Sequence, residues 1–310
     1  MNKIKVVFMG TPEFSVPVLK MLIEKTEVVM VVTQPDKEVG RKRILEASPV
    51  KKLALEHNIP VFQPSKIRND FTNVVDTKPD LLITCAYGQI IPKELLECAK
   101  FGAVNIHASL LPKYRGSAPI NWAIINGDKK TGITLMYMDE HMDTGDMIKW
   151  VETDIKEDDT YGSLYDRLSI LGSKLLEDNL EYLVSENVKR YKQDDEKSSL
   201  APMIKRDIEL IDFNDLGINI INKIRGLNPS PLAYTLINGE EFKILSAEFE
   251  QSNSAKTGII VEASKKRLGI SCKDGIIYPK FVKPFGKKQM DITSFLNGID
   301  KEKLLNNQVG

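Results

Sequence analysis

The first half of the chain repeats one pattern, and this repeat constrains the fold more than any other feature of the sequence. A short β-branched run is followed by a turn and then by a helical segment. The runs lie at residues 3–9, 28–33, 81–86 and 103–107. They lack polar alternation, as strands do when both faces of a sheet are covered. Helical segments are predicted between these runs at residues 14–25, 49–57 and 69–75, and a longer one follows at 160–186. The alternation predicts a doubly wound α/β domain with a parallel sheet.

The pattern changes beyond residue 205, and at 310 residues the chain is longer than a single core usually supports. Short strand-like runs separated by turns such as Asn238-Gly239 and Asp274-Gly275 predict a small sheet or barrel. The charged stretch KQDDEKSS at 192–199 is typical of a linker edge. We therefore predict an N-terminal domain at 1–187, a linker at 188–207 and a C-terminal domain at 208–310.

Composition excludes several classes of protein. Hydrophobic residues make up 42% and charged residues 28% of the chain, which argues against disorder and against a fibrous repeat. The first apolar run ends at Gly10-Thr11-Pro12 and is too short for a signal peptide or a membrane span. Cys85, Cys98 and Cys272 are spaced as neither a disulfide framework nor a metal site. We expect a cytoplasmic protein with no membrane partner and no metal.

Charge is balanced overall but not locally. The 43 basic and 43 acidic residues cancel, so net charge gives no reason to expect a nucleic-acid partner. Between residues 256 and 288, however, the sequence contains nine lysines and arginines but only two acidic residues. The loop at 34–48 is also basic and unusually long. A solvated lysine-rich face and a surface that follows phosphates both remain open for these regions.

Asn105 and His107 stand at the carboxyl end of the run 103–107. Open α/β sheets bind their ligands at this end of their strands. Residues two apart in a strand share one face, so the two side chains are expected to point to one place. A histidine at such a position is often held structurally in the core. The paired asparagine favours a functional role.

Asp143 is the acidic residue that we expect to join this pair. It lies in the loop 139–146, and Thr144-Gly145 directly after it allow a tight turn back over the strand ends. A carboxylate beside an imidazole fixes the tautomer of the ring and strengthens it as a donor or base. The neighbouring Asp139 and Glu140 fit a solvated acidic turn better.

Two further segments bear on the ligand. The loop that follows His107 is apolar and stiffened by prolines, which is consistent with packing and also suits a flat heteroaromatic ligand. The turn Gly10-Thr11-Pro12 matches neither a dinucleotide fingerprint nor a Walker loop, so those cofactors are disfavoured.

Two motifs carry a family resemblance. The sequences NIHASLLP at 105–112 and MDTG at 142–145 together resemble the signature of the folate-dependent formyltransferases. MGTPEF at 9–14, QPD at 34–36 and IRGLNP at 224–229 extend the similarity over nearly the whole chain. Ser230 is a local departure, because members of the family commonly carry an aromatic residue there.

The resemblance implies a Rossmann-like catalytic domain with a mostly parallel sheet and a C-terminal β-barrel of the OB type. It implies 10-formyltetrahydrofolate as formyl donor and the free α-amine of methionyl initiator tRNA as acceptor, for translation initiation, with no DNA partner. The catalytic residues would be Asn105, His107 and Asp143. The folate-binding residues would be Ser109, Leu110, Leu111, Pro112, Asp139 and Gly145. The tRNA-binding residues would be Arg41, Lys42, Arg43, Lys265, Lys266, Arg267, Lys287 and Lys288.

Three alternatives stay open. The acceptor could be glycinamide ribonucleotide or an amino-sugar nucleotide, although the second domain argues against both. Water could accept the formyl group, which would make the protein a hydrolase, and the sequence separates this poorly from transfer. A noncatalytic RNA-binding module would have no use for Asn105, His107 and Asp143.

Overall fold

The computed structural model describes residues 3–40, 43–253 and 256–310 of the chain. Its contacts form two compact units, each assembled from interleaved segments. The first unit comprises Met1–Pro119, Thr131–Thr153 and Tyr165–Pro202, and the second comprises Ile120–Lys130, Asp154–Leu164 and Met203–Gly310. The domain and linker ranges predicted from the sequence stay a prediction beside this interleaved arrangement.

The first nine strands belong to the N-terminal region. They are β1 (Lys5–Gly10), β2 (Glu27–Val32), β3 (Lys37–Val39), β4 (Ile44–Glu46), β5 (Val61–Phe62), β6 (Leu81–Cys85), β7 (Ala103–His107), β8 (Lys130–Tyr137) and β9 (Met147–Asp154). The helices up to residue 183 are α1 (Val16–Lys25), α2 (Pro49–Glu56), α3 (Thr72–Val75), α4 (Lys93–Leu96), α5 (Pro119–Ile125), α6 (Tyr161–Glu177) and α7 (Leu180–Leu183).

Seven of these strands form one sheet in the order β5-β2-β1-β6-β7-β8-β9. The five strands from β5 to β7 run parallel, and β8 runs antiparallel to β7. All five residues of β6 are buried, as are five of the six residues of β1. Continuous burial of this kind explains why these strands show no polar alternation. The predicted α/β fold with a mostly parallel sheet is confirmed.

Local structure differs from the sequence prediction at three places. The basic loop contains a two-stranded hairpin, β3 and β4, where only a long loop was expected. The predicted helix at 69–75 shortens to the single turn of α3. The predicted helix at 160–186 is interrupted after α6, where the side-chain amide of Asn179 donates to the oxygen of Leu175 at 2.8 Å and satisfies a carbonyl of the last turn.

The second unit is built on an antiparallel sheet. Its elements are α8 (Arg206–Glu209), α9 (Gly217–Gly226), β10 (Ala233–Ile237), β11 (Glu240–Gln251), β12 (Ile260–Ala263), β13 (Leu268–Cys272), β14 (Gly275–Pro284), β15 (Met290–Asp291) and α10 (Ile292–Asn297). The strand order is β10-β11-β14-β13-β12, with β15 paired to β14. Within the described residues β10 and β12 are not paired, so this OB-type barrel is open. Ile220 and Ile224 of α9 lie in the same core as the inward side chains of the sheet.

None of the helices in the described parts of the chain combines the length and apolarity that crossing a bilayer requires.

Candidate active site

The carboxyl ends of β6 and β7 meet at one edge of the parallel sheet, and the candidate site begins there. Asn105 pairs in register with Thr84 of β6, and His107 is the last residue of β7. Asn105 is half-buried, whereas His107 is only 5% exposed. The strand therefore brings both side chains to the same edge, as their spacing predicts.

A main-chain oxygen orients the imidazole of His107. Its Nε2 atom lies 2.9 Å from the carbonyl oxygen of Tyr114. A carbonyl can only accept, so Nε2 carries the proton of this hydrogen bond. The other ring nitrogen, Nδ1, faces Asp143 at 3.7 Å from Oδ1. The ring thus presents Nδ1 to the site, and Nδ1 carries a proton only in the imidazolium.

Thr84 orients the amide of Asn105. The Thr84 hydroxyl donates to Oδ1 of Asn105 at 2.8 Å, and Nδ2 of Asn105 faces Oδ1 of Asp143 at 3.5 Å. The reverse orientation of the amide would place its oxygen against the carboxylate of Asp143, which is unfavourable. Asn105 therefore directs its N–H group towards the site.

Asp143 reaches the strand ends from a sharp turn. Its backbone has φ of 56°, in the left-handed region that aspartate tolerates better than most residues. The sequence suggests that Gly145 provides a flexible turn. In the structure it is needed because the main chain passes close to Tyr137: a Cβ atom at Gly145 would lie 1.8 Å from the carbonyl oxygen of Tyr137. The turn is also held by Thr144, whose hydroxyl donates to Oδ1 of Asp139 at 2.7 Å. The side chain of Asp143 is thereby carried over Asn105 and His107, as predicted.

The sequence did not reveal the main-chain groups that hold the site. Besides the oxygen of Tyr114, the amide of Gly116 donates to Oδ2 of Asp143 at 2.8 Å. Gly116 has φ of 125°, and a Cβ atom there would lie 2.7 Å from the oxygen of Ala201. Gly116 is the one sequence signal of this turn, but the identity of a residue does not predict which atom its main-chain amide contacts.

The residues expected to bind folate line the loops on either side of this site. Ser109 is fully buried, and its hydroxyl donates to the oxygen of Lys113 at 2.6 Å, so it stabilises the loop itself. The amide of Leu111 donates to Thr134 at 3.2 Å, and Leu110 approaches Gly132. Pro112 is half-buried after a cis peptide bond. Asp139 and Gly145 belong to the turn that carries Asp143.

The residues expected to bind tRNA are exposed wherever the structure describes them, except Arg267, which is half-buried. Arg41 and Lys42 lie outside the described residues. Arg43 is ion-paired with Glu38 at 2.7 Å. Arg267 is paired with Glu250 and stacks on the ring of Tyr278 at 3.6 Å, so its charge is engaged within the chain.

The four remaining lysines of this set occupy two turns of the second unit. Lys265 and Lys266 precede β13, and Lys287 and Lys288 follow β14. Because β13 and β14 are antiparallel, both turns lie towards the same end of the sheet.

Metal ligands were not expected from the sequence. Among the residues that the structure describes, no group of three or more His, Cys, Asp and Glu side chains is arranged to hold a metal ion.

The geometry suits acyl transfer. A side-chain N–H, an imidazole nitrogen and a carboxylate oxygen converge on one place, from Asn105, His107 and Asp143. Donors of this kind stabilise an oxygen on which negative charge develops, and a carboxylate beside them can take or give a proton.

Comparisons with known proteins agree with this chemistry. A family model described as formyl transferase matches residues 2–180, and one described as formyl transferase, C-terminal domain, matches residues 203–300. The methionyl-tRNA formyltransferase of Bacillus subtilis (strain 168) is 48% identical over 303 residues, which is 96% of each chain. That of Listeria monocytogenes (strain EGD-e) is 47% identical over 95% of each chain. The N-formyltransferase of Helicobacter canadensis, solved with folinic acid and dTDP-3-aminofucose, covers 92% of this chain and 100% of its own, with a TM-score of 0.68 and 21% identity. That last similarity concerns the fold.

Proposed function

The chain belongs to the formyl transferase family, and we propose that it transfers the formyl group of 10-formyltetrahydrofolate to the α-amine of methionyl initiator tRNA. The observation that carries the proposal is the convergence of Asn105, His107 and Asp143 in a chain that is 48% identical to a methionyl-tRNA formyltransferase along almost its full length. The product would serve translation initiation.

Asn105 and His107 would stabilise the transition state. Attack of the amine on the formyl carbon places negative charge on the formyl oxygen, and preorganised donors lower the energy of that charge. The Nδ2 group of Asn105 is directed into the site and is available for this role. His107 uses Nε2 for Tyr114, so it would donate to the formyl oxygen from Nδ1 as the imidazolium.

Asp143 would move the proton that the reaction must relocate. The bond from the amine nitrogen to the formyl carbon forms, and the bond from that carbon to N10 of the folate breaks. The attacking amine loses one proton and the leaving N10 gains one. The carboxylate of Asp143, beside Nδ1 of His107, is the acidic group placed to carry that proton, directly or through water.

The partners follow from the same proposal. The folate would lie along the loops that contain Ser109 to Pro112 and Asp139 to Gly145. The tRNA would meet the basic loop of the first unit and the lysine turns of the second, which we propose act as its phosphate contacts. We propose no role for DNA or a membrane, and we place the reaction in the cytoplasm, where Cys85, Cys98 and Cys272 remain free thiols.

Parallel acceptors test the proposal. The protein is incubated with 10-formyltetrahydrofolate labelled in the formyl group and, in separate tubes, with initiator methionyl-tRNA, elongator methionyl-tRNA, glycinamide ribonucleotide or an amino-sugar nucleotide. We expect the label to appear mainly on the initiator tRNA. Labelling of a small-molecule acceptor in preference to the tRNA would contradict the proposed acceptor and leave the catalytic site standing.

A further inference from the structure

Gln193 is a buried glutamine in a stretch whose sequence is typical of a linker. It is 5% exposed, and its Nε2 atom donates to two main-chain oxygens, those of Asp143 and Gly145, each at 2.8 Å. Both oxygens belong to the turn that presents the carboxylate of Asp143. One side-chain amide thus spans this turn and uses both of its N–H groups to do so.

Arg115 fixes which way that amide points. The Nε atom of Arg115 donates to Oε1 of Gln193 at 3.0 Å, and the guanidinium also donates to Oδ1 of Asp195 at 2.7 Å. Arginine can only donate, so the oxygen of Gln193 must face it and the nitrogen must face the two carbonyls. Arg115 is itself only 8% exposed, which makes this a buried and directional arrangement.

The same stretch also pairs with the loop that holds His107. The amide of Arg115 donates to the oxygen of Ser199 at 2.8 Å, and the amide of Ala201 donates to the oxygen of Arg115 at 2.7 Å. The hydroxyl of Ser199 accepts from the amide of Tyr114 at 2.9 Å. The loop of Tyr114 and the turn of Asp143 therefore share one support, the segment from Gln193 to Ala201.

We propose that Gln193 is a positioning residue of the active site, which acts through the main chain of the Asp143 turn and is oriented by Arg115. The inference rests on the proposed function, because it presumes that Asp143 works in formyl transfer. Gln193 touches neither reacting atom in this scheme. It holds the carboxylate at the distance from Asn105 and His107 that the proton transfer needs.

The expected effect of removing Gln193 follows from how strongly a reaction rate depends on the position of the reacting groups. A displacement of about 1 Å at a reacting group can lower a rate by about 100-fold. Replacing Gln193 by Leu keeps much of the volume and removes the donor from one buried and one partly buried carbonyl. We expect kcat to fall by roughly 10- to 100-fold, while the KM for tRNA stays within about twofold of wild type because the lysine turns are unchanged.

The test compares three variants of the full-length protein with wild type. Q193L is measured for kcat, for both KM values and for its thermal unfolding midpoint, with Q251L as a matched control at an exposed glutamine. The Q193E variant keeps the contact to Arg115 but sets a carboxylate oxygen against the two carbonyls, and on protonation its single O–H can donate to one of them. Its kcat relative to wild type should therefore rise as the pH is lowered, whereas the ratio of Q193L to wild type should not, because leucine cannot gain a donor.

The outcomes separate the inference from the proposed function. If wild type transfers formyl to initiator tRNA and Q193L does so with an unchanged kcat, or if the ratio of Q193E to wild type does not change with pH, the positioning role is wrong and the function stands. If wild type itself transfers no formyl group, the proposed function fails first. A folded Q193L with lowered kcat and a pH-dependent Q193E support the inference.

Discussion

The side-chain nitrogen of Asn105 lies 3.5 Å from Oδ1 of Asp143, at the outer limit of a hydrogen bond. The oxygen of the same amide is firmly held by Thr84 at 2.8 Å. Asn105 is thus fixed at one end and only weakly engaged at the other. A donor in this state can bind a substrate oxygen without first breaking a strong bond within the protein.

Replacing Asn105 by Ala should lower kcat far more than folate affinity, because the donor acts on charge that exists only in the transition state. The expected loss is about 100- to 1000-fold, the usual effect of removing one oxyanion donor. The measurement is kcat from steady-state transfer beside the folate Kd from a binding titration. T84V should show a smaller loss, roughly fivefold to tenfold, since it removes one neutral hydrogen bond. Equal losses in kcat and affinity would remove Asn105 from this role.

Replacing Asp143 by Asn should abolish most of the turnover while the turn persists. The side-chain oxygen of the introduced asparagine can still accept a hydrogen bond from the main-chain amide of Gly116. The new side chain cannot, however, carry the proton of the reaction. General acid–base groups contribute about 100- to 10,000-fold, so a loss in this range is expected in single-turnover assays. E140Q alters an exposed acidic residue of the same loop and should keep near-wild-type turnover. A D143N variant as active as E140Q would contradict the assignment.

Replacing Gly145 by Ala should destabilise the first unit and reduce activity. The new Cβ atom would meet the oxygen of Tyr137 at 1.8 Å, so the turn must shift. Forced overpacking typically costs about 1–3 kcal/mol. In the matched variant G298A the nearest atom is 3.6 Å away, and we expect little change. Differential scanning calorimetry of both variants measures their unfolding midpoints. Equal midpoints would count against a close contact between Gly145 and the oxygen of Tyr137.

Asp36 should contribute to the free energy of unfolding at neutral pH, and this contribution should disappear in acid. Hydrogen bonds from Lys51 at 2.7 Å and Gln63 at 2.8 Å lower the pKa of its carboxyl. The unfolded pKa is near 3.9, so the added stability is fully present above about pH 4 and is lost as the pH falls through the lower folded pKa. Urea unfolding from pH 7 to pH 2 should show the difference between wild type and D36N shrinking at the acidic end. The D76N variant, at an exposed aspartate, is the control. A difference that grows in acid would reverse the predicted sign.

The lysine turns of the second unit should set part of the salt dependence of tRNA binding. If Lys265, Lys266, Lys287 and Lys288 contact about four phosphates, they should contribute roughly −3 to −4 to the slope of log affinity against log salt. Replacing Lys265 and Lys266 by Ala should reduce the slope by about 2. K20A, on the exposed side of α1, should leave it unchanged. A flat response in wild type would remove these turns from the tRNA surface.

Much of the fold and of the site was predictable because the relevant signals lie within short stretches of the sequence. The uninterrupted apolar runs of β1 and β6 indicated a covered parallel sheet, and the spacing of Asn105 and His107 placed both on one face. The support of the site was not predictable. It depends on the oxygen of Tyr114 and the amide of Gly116, which every residue type possesses, and on Gln193, whose charged neighbours resemble a solvated linker. Such contacts are determined only when the chain folds back on itself.

In the proposed reaction the formyl group passes to the amine of methionyl initiator tRNA and not to water. The most direct measurement is the ratio of N-formylmethionine to free formate formed for each 10-formyltetrahydrofolate consumed, with initiator methionyl-tRNA at saturation. We expect close to one N-formylmethionine per folate consumed and little formate. Formate as the main product, with the tRNA left unformylated, would show that this site is hydrolytic and that the proposed transfer is wrong.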